Sequence, residues 1–148
     1  MGKTYQSSVF KEVVDRETGE IISTEQTKVF TKKVTTENFY MTFVDYISPL
    51  FNLKGDNCKS ILVWLCSHAE YNTGKVSLTA ADRQKLGELL NISNNTITNN
   101  IKILKDNKII SGEKGSFILN PQIHWKGDTE TRRKLLQNQE IKITFSIG

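Results

Sequence analysis

The stretch that decides the fold runs from Leu78 to Leu119: LTAADRQKLGELLNISNNTITNNIKILKDNKIISGEKGSFIL. It begins at the end of a short strand-like run, Lys75–Leu78, and Thr79 can cap a helix reaching Leu90, with Leu86, Leu89 and Leu90 on its inner side. Asn91-Ile92-Ser93 is a tight polar turn around one apolar plug. Ser93 caps a further helix from Asn94 to about Asn107. Two strands follow, Lys108–Ser111 and Ser116–Leu119, joined by Gly112-Glu113-Lys114-Gly115. Asn120-Pro121 ends the second, because proline cannot donate to a sheet ladder. Two helices joined by a short turn and followed by a hairpin make a winged helix-turn-helix, in which the second helix enters a major groove.

Helical geometry assigns the faces of that second helix. Successive residues turn by about 100°, which brings Ile97, Ile101 and Leu104 within about 40° of one another as an inner face. Asn95, Thr98, Asn99 and Lys102 then point away. An unselected solvent face favours Glu, Lys, Gln or Ala, whereas Asn and Thr are poor helix formers. Asn can bond adenine bidentately, and Thr can bond a base edge or touch a thymine methyl. Lys102, Lys105 and Lys108 can meet phosphates, and Lys114 at the wing tip can reach a phosphate or the minor groove, although Glu113 beside it opposes that. The candidate DNA-binding residues are therefore Ser93, Asn94, Asn95, Thr96, Thr98, Asn99, Lys102, Lys105, Lys108 and Lys114. The competing interpretation is a polar surface helix in a structural domain.

Upstream, Phe39, Tyr40, Phe43, Val44, Ile47, Leu50 and Phe51 recur at spacings of three and four, and Thr35 and Thr36 can cap the helix this predicts. Pro49 should end or kink it near Ser48. A second helix is expected from about Asn57 to Glu70, apolar on all sides around Ile61–Cys66 and hence buried, with Trp64 and Tyr71 as core aromatics. Tyr5–Val14 and Ile21–Phe30 flank a polar loop and read as a β-hairpin. Residues 128–138 look like a short charged helix, and the alternation Ile141, Ile143, Phe145, Ile147 predicts a strand. The expected class is α+β: an N-terminal hairpin extension (1–37), a winged helix-turn-helix domain (38–121) and a C-terminal helix/strand extension (122–148).

The 148 residues suffice for a hydrophobic core, and apolar residues make up 37% of them, which argues against wholesale disorder. Residues 1–37 carry six basic and six acidic side chains, so the net charge of +4 resides in residues 38–148. Cys58 and Cys66 are eight residues apart, too far for a disulfide within one helix, and read as buried thiols in a reducing cytoplasm. The first residues lack the pattern of a secretory signal, and the apolar run Ile61–Cys66 is far short of the roughly 20 residues that span a membrane.

Catalysis is not expected. Rolling-circle nicking needs a His-x-His pair and a nucleophilic tyrosine, but the histidines are His68 and His124, far apart. His68 reads as a satisfied core histidine, and His124 as packing near Trp125. No P-loop occurs, carboxylates are not paired for two-metal chemistry, and no cofactor or metal is implied.

Three blocks, FYMTFVDYISPLFNLKGDN (39–57), KLGELLNISNNTITNNIKILKDNKII (85–110) and FILNPQIHWKGD (117–128), together resemble RepL-type plasmid replication initiator proteins of Gram-positive bacteria. The aromatic block and the Asn120-Pro121…Lys126-Gly127 exit are more specific than the helix-turn-helix, which many regulators share. The resemblance implies a non-catalytic initiator that binds double-stranded plasmid origin DNA, with host replication proteins as further partners. The alternative is a winged-helix transcription or copy-number repressor. Because one winged helix covers few base pairs, a homodimer is expected, paired through the N-terminal hairpin, the 141–147 strand or the aromatic segment.

Overall fold

The computed structural model describes residues 5–7, 10–14, 21–26 and 30–32 as strands and residues 37–148 throughout. The chain is α+β and divides into two compact units, residues 1–38 and 39–148. In the first unit, β1 (Tyr5–Ser7) pairs antiparallel with β4 (Phe30–Lys32), and β2 (Phe10–Val14) with β3 (Ile21–Gln26). The expected hairpin is thus present as two successive ladders. Its polar loop and Thr35 and Thr36 lie outside the described residues.

In the second unit the core collects around α2 (Asp56–His68). Its buried residues, Cys58, Ile61, Leu62, Leu65 and Cys66, follow the i, i+3, i+4, i+7, i+8 spacing of one helix face. The other face is open, with Val63 exposed and Trp64 half-buried and stacked on His68, so this helix is one-sided rather than buried all round. Tyr71 is exposed too. Burial pushes the Cys66 thiol up to about 12, and both cysteines are free and buried.

α3 (Ala80–Leu90) begins with a reciprocal cap: the Thr79 hydroxyl accepts from the Asp82 N–H and the Asp82 carboxylate from the Thr79 N–H. Leu86 is buried and Leu90 packs on the core, but Leu89 is exposed. Asn91, in the left-handed region at φ 55°, ends the helix. Ile92 folds onto the core, and α4 (Asn94–Asp106) starts under the Ser93 cap. The hairpin expected as a wing follows as β7 (Ile110–Glu113) and β8 (Ser116–Leu119). The first wing strand begins at Ile110 rather than Lys108, which sits at φ 58° in the turn. Lys114 and Gly115 both have positive φ, the combination that a type I′ hairpin turn demands. β8 pairs on its other side with β6 (Lys75–Ser77), giving the order β6-β8-β7.

Further expectations are overturned on either side of this core. Residues 39–47 do not form the expected helix: Met41–Thr42 is a short strand, β5, paired with β9 (His124–Trp125), and Val44–Tyr46 is a 3-10 turn. Tyr40 and Phe43 dock instead on the segment that follows β8. Tyr40 meets the His124 ring edge-on, and the Arg132 guanidinium lies 3.4 Å from the centre of the Phe43 ring. Pro49 does not end a helix but opens one, α1 (Ser48–Phe51), where its missing N–H costs no bond. The predicted 141–147 strand is absent too: residues 141–144 are helical and 145–147 leave the helix in a turn. After α5 (Thr129–Leu136), the Asn138 side chain accepts from the Ile141 N–H and starts α6 (Gln139–Thr144). Half-buried Ile141 and buried Phe145 are four apart on one face, which places Ile143 in solvent. Among the described residues, no helix is long and apolar enough to cross a membrane.

Candidate nucleic-acid interface

The side chains of α4 that the sequence singles out as inner and outer faces lie in opposite environments. Ile97, Ile101 and Leu104 are buried against the core, as their spacing predicts. Asn95, Thr98, Asn99 and Lys102 are all exposed. Complete burial of an aliphatic side chain contributes about 1.5–3 kcal/mol, so three of them fix the rotation of the helix about its axis. That rotation holds the polar face outward.

The other candidates occupy three distinct settings. At the helix start, the Ser93 hydroxyl caps the Thr96 N–H at 3.2 Å and bonds the Thr96 hydroxyl at 3.0 Å. These two side chains serve the helix terminus itself. Asn94 is exposed, and its Oδ1 accepts from Arg83 Nη1 at 3.2 Å. On the flank, Lys105 does not stand free: its Nζ lies 2.7 Å from Glu113 Oε1, tying α4 to the wing. The lysine holds the Glu113 carboxyl below the usual carboxylate range. With Glu113 turned to Lys105, its charge opposes Lys114 less than adjacency in sequence suggests. Lys108 and Lys114 are exposed, the latter at the wing tip.

Arg83 is the residue that sequence reasoning missed. It lies 11 and 15 positions from Asn94 and Thr98, on the preceding helix, yet its Nη1 donates to both, at 3.2 and 3.0 Å. No spacing rule within one helix could have signalled this. Only the packing of α3 on α4 brings the three together.

His68 is not the core histidine that the sequence suggests. His68 is exposed at the end of α2, its Nδ1 2.9 Å from the Trp64 carbonyl oxygen. His124 is buried; its Nδ1 and Thr42 Oγ1 are 3.0 Å apart, and Nε2 has no partner among the described residues. Burial depresses its pKa to about 4. Between that value and the unfolded-state value near 6.5, the unfolded chain takes up a proton that the folded chain refuses. Stability should therefore fall as pH drops through this window and level off below it, losing about 3 kcal/mol in all. Urea titrations at pH 7 and pH 4.5 check this. His124→Asn should lose less between the two, and an equal loss in both proteins would refute the assignment. Among the described residues, no group of His, Cys, Asp or Glu could hold a metal ion.

The segment after the wing is fixed by a latch. The Asn72 N–H donates to the Lys126 carbonyl, the Asp128 N–H to Asn72 Oδ1, and Asn72 Nδ2 to Asp128 Oδ2, each at 2.8 Å. Gly127, at φ 154°, lies so close that a Cβ there would sit 2.1 Å from Asn72 Oδ1.

Over 135 residues the chain is 23% identical to a replication and maintenance protein of Bacillus subtilis, covering 91% of this chain and 87% of that one. A replication and maintenance protein of Staphylococcus aureus is equally similar, with 80% of its length covered. No solved structure matches. The Firmicute plasmid replication protein (RepL) family matches residues 3–143, and the chain belongs to that family.

Proposed function

We propose that the protein is a non-catalytic initiator that binds double-stranded DNA at a plasmid replication origin, in the bacterial cytoplasm, through a winged helix-turn-helix. In this reading residues 38–121 form the DNA-binding domain, α4 is the recognition helix, and the β7–β8 hairpin is the wing. The observation that carries it is the two-faced α4: a helix rotated by three buried aliphatics so that Asn95, Thr98, Asn99 and Lys102 face solvent together. Asn95 and Asn99 read base edges and Thr98 offers its methyl group, while Lys102, Lys108 and Lys114 lie on phosphates. Lys105 helps by bracing the wing. Host replication proteins would then act on the bound origin.

Mapping the DNA protected by the protein across a whole plasmid of this family tests the reading. Protection of the origin is expected, and the triple change Asn95→Ala, Thr98→Ala, Asn99→Ala should abolish it while leaving weak non-specific binding. Protection confined to a promoter would instead make the protein a transcription or copy-number repressor. Unchanged protection by the triple variant would remove α4 from the interface.

A homodimer completes the proposal, because one such module covers too little DNA for tight specific binding. The 141–147 segment, a helix to Thr144 and then a turn, offers no strand for pairing. Phe39, Val44 and Phe51, each at least 65% exposed, supply apolar surface in the segment around β5 and α1 instead. Sedimentation equilibrium at micromolar concentration should give a dimer, and a combined Val44→Ser, Phe51→Ser variant a monomer. A monomeric wild-type protein, both free and on DNA, would exclude this part of the proposal.

A further inference from the structure

Arg83 belongs to none of the features that the sequence singles out, yet it holds a central place on the exposed side of the helix pair. Both hydrogens of its Nη1 are committed, one to Asn94 Oδ1 and one to Thr98 Oγ1. The Thr98 hydroxyl in turn donates to the Asn94 carbonyl at 3.1 Å, so it is engaged as donor and acceptor within the protein. Thr98 therefore has no hydroxyl proton to offer a ligand without breaking this network. The guanidinium does have donors left: Nε–H and the two hydrogens of Nη2 reach no other described residue. Together they form a planar fork, the shape that matches two neighbouring acceptor atoms.

Two features make the fork an ordered one. Arg83 sits in the groove between α3 and α4, beside Gln84, Gly87, Asn91 and Asn94. Gly87 lets the α3–α4 turn come close, since a Cβ there would lie 3.0 Å from the Ile92 carbonyl oxygen. The side chain is then held at its far end by the two bonds to α4, so part of the entropy of ordering a long arginine is already lost in the free protein.

Resting on the proposal that α4 enters a DNA groove, we infer that Arg83 is a second contact element, supplied by α3. Its Nε/Nη2 edge takes a pair of acceptors on the duplex, either O6 and N7 of a guanine or two oxygens of one phosphate. The face that meets DNA then spans two helices, and Asn94 and Thr98 act partly by aiming the arginine.

Binding curves for the full chain settle the matter, on the protected duplex and on a scrambled duplex of equal length, across a series of salt concentrations. Arg83→Ala should weaken binding to the protected duplex about 10- to 100-fold. If the acceptor is guanine, binding to the scrambled duplex should hold and preference should relax at one G·C pair. In that case Arg83→Lys, which keeps the charge but not the fork, should relax it too. If the acceptor is a phosphate, both duplexes should weaken, the salt slope should fall by about one, and Arg83→Lys should recover most of the affinity. A bracing role alone would move neither the base preference nor the salt slope. Wild-type affinity, salt slope and preference in Arg83→Ala overturn the inference while leaving the proposed function standing. Should that variant fail to melt cooperatively, the same wild-type result in Arg83→Lys on both duplexes and at every salt overturns it. Failure of the wild-type protein to bind either duplex removes the proposed function, and this inference with it.

Discussion

Replacing Gly112 by alanine is expected to cost about 3–5 kcal/mol of folding stability. Gly112 lies in β7 opposite Phe117 at φ 124°, a conformation that side-chain-bearing residues rarely adopt. A Cβ there would stand 2.1 Å from the Ser116 carbonyl oxygen and 2.8 Å from the Phe117 Cα. Both obstacles are backbone atoms of the paired strand, so relief requires the wing ladder itself to shift. Phe117 is buried, and a displaced β8 would pull it from the core. Gly55 is the control. It too has positive φ, 85°, but nothing lies within 4 Å of its would-be Cβ. Gly55→Ala should cost only the backbone strain, about 1 kcal/mol. Urea denaturation of the two variants compares them directly, and equal losses would show that strain alone, not the collision with β8, governs Gly112.

Leu104→Ala is expected to destabilise the protein by roughly 2–5 kcal/mol. Leu104 is fully buried on the inner face of α4, among the residues that join this helix to α2 and the wing. Its backbone carbonyl also accepts from the Ile109 N–H, where the chain turns out of the helix toward β7. The spread in the estimate reflects how far that junction can collapse around the void. Asn99→Ala, five residues earlier on the opposite face, should leave the melting temperature nearly unchanged. A Leu104→Ala melt that does not move would mean that α4 is rotated from the orientation described.

Much of the α3–α4 segment could be read from the sequence because its signals are local. Thr79 and Ser93 cap the helices they precede, and the period of Ile97, Ile101 and Leu104 matches one helix face. The failures share a different cause. Apolar residues at spacings of three and four between Phe39 and Phe51 satisfy a helix template, but Met41 and Thr42 pair with residues 82 to 84 positions away. That partner strand exerts its hold only in the folded chain. The alternation from Ile141 to Ile147 misled in the opposite sense, since a period of two can coincide with an i, i+4 pair over so short a run. The Asn138 cap was the local clue to the helix. For the candidate site, the exposed face of α4 was legible, whereas the arginine that joins it from α3 was not. Neither was the loss of Lys105 to the wing. Both depend on tertiary approach rather than on periodicity.

The order β6-β8-β7 also bears on how the domain assembles. β6 enters just before the helix pair and β8 leaves just after it, so Ser77 meets Ser116 only when the chain between them has doubled back. In an unstructured chain, closing so long a loop carries a conformational penalty that no local contact offsets. Once α3 and α4 are wound and packed, the same two residues are separated by a short, stiff path. The helix pair should accordingly nucleate folding and the three-stranded sheet close late, so that mutations in α4 slow refolding while those in β7 chiefly hasten unfolding. Stopped-flow φ-values that were high in the wing and low in α4 would reverse this order. In the expected order the last part of the domain to form is the β7–β8 hairpin, which under the proposed function lies against the duplex, leaving it the element freest to adjust its seat.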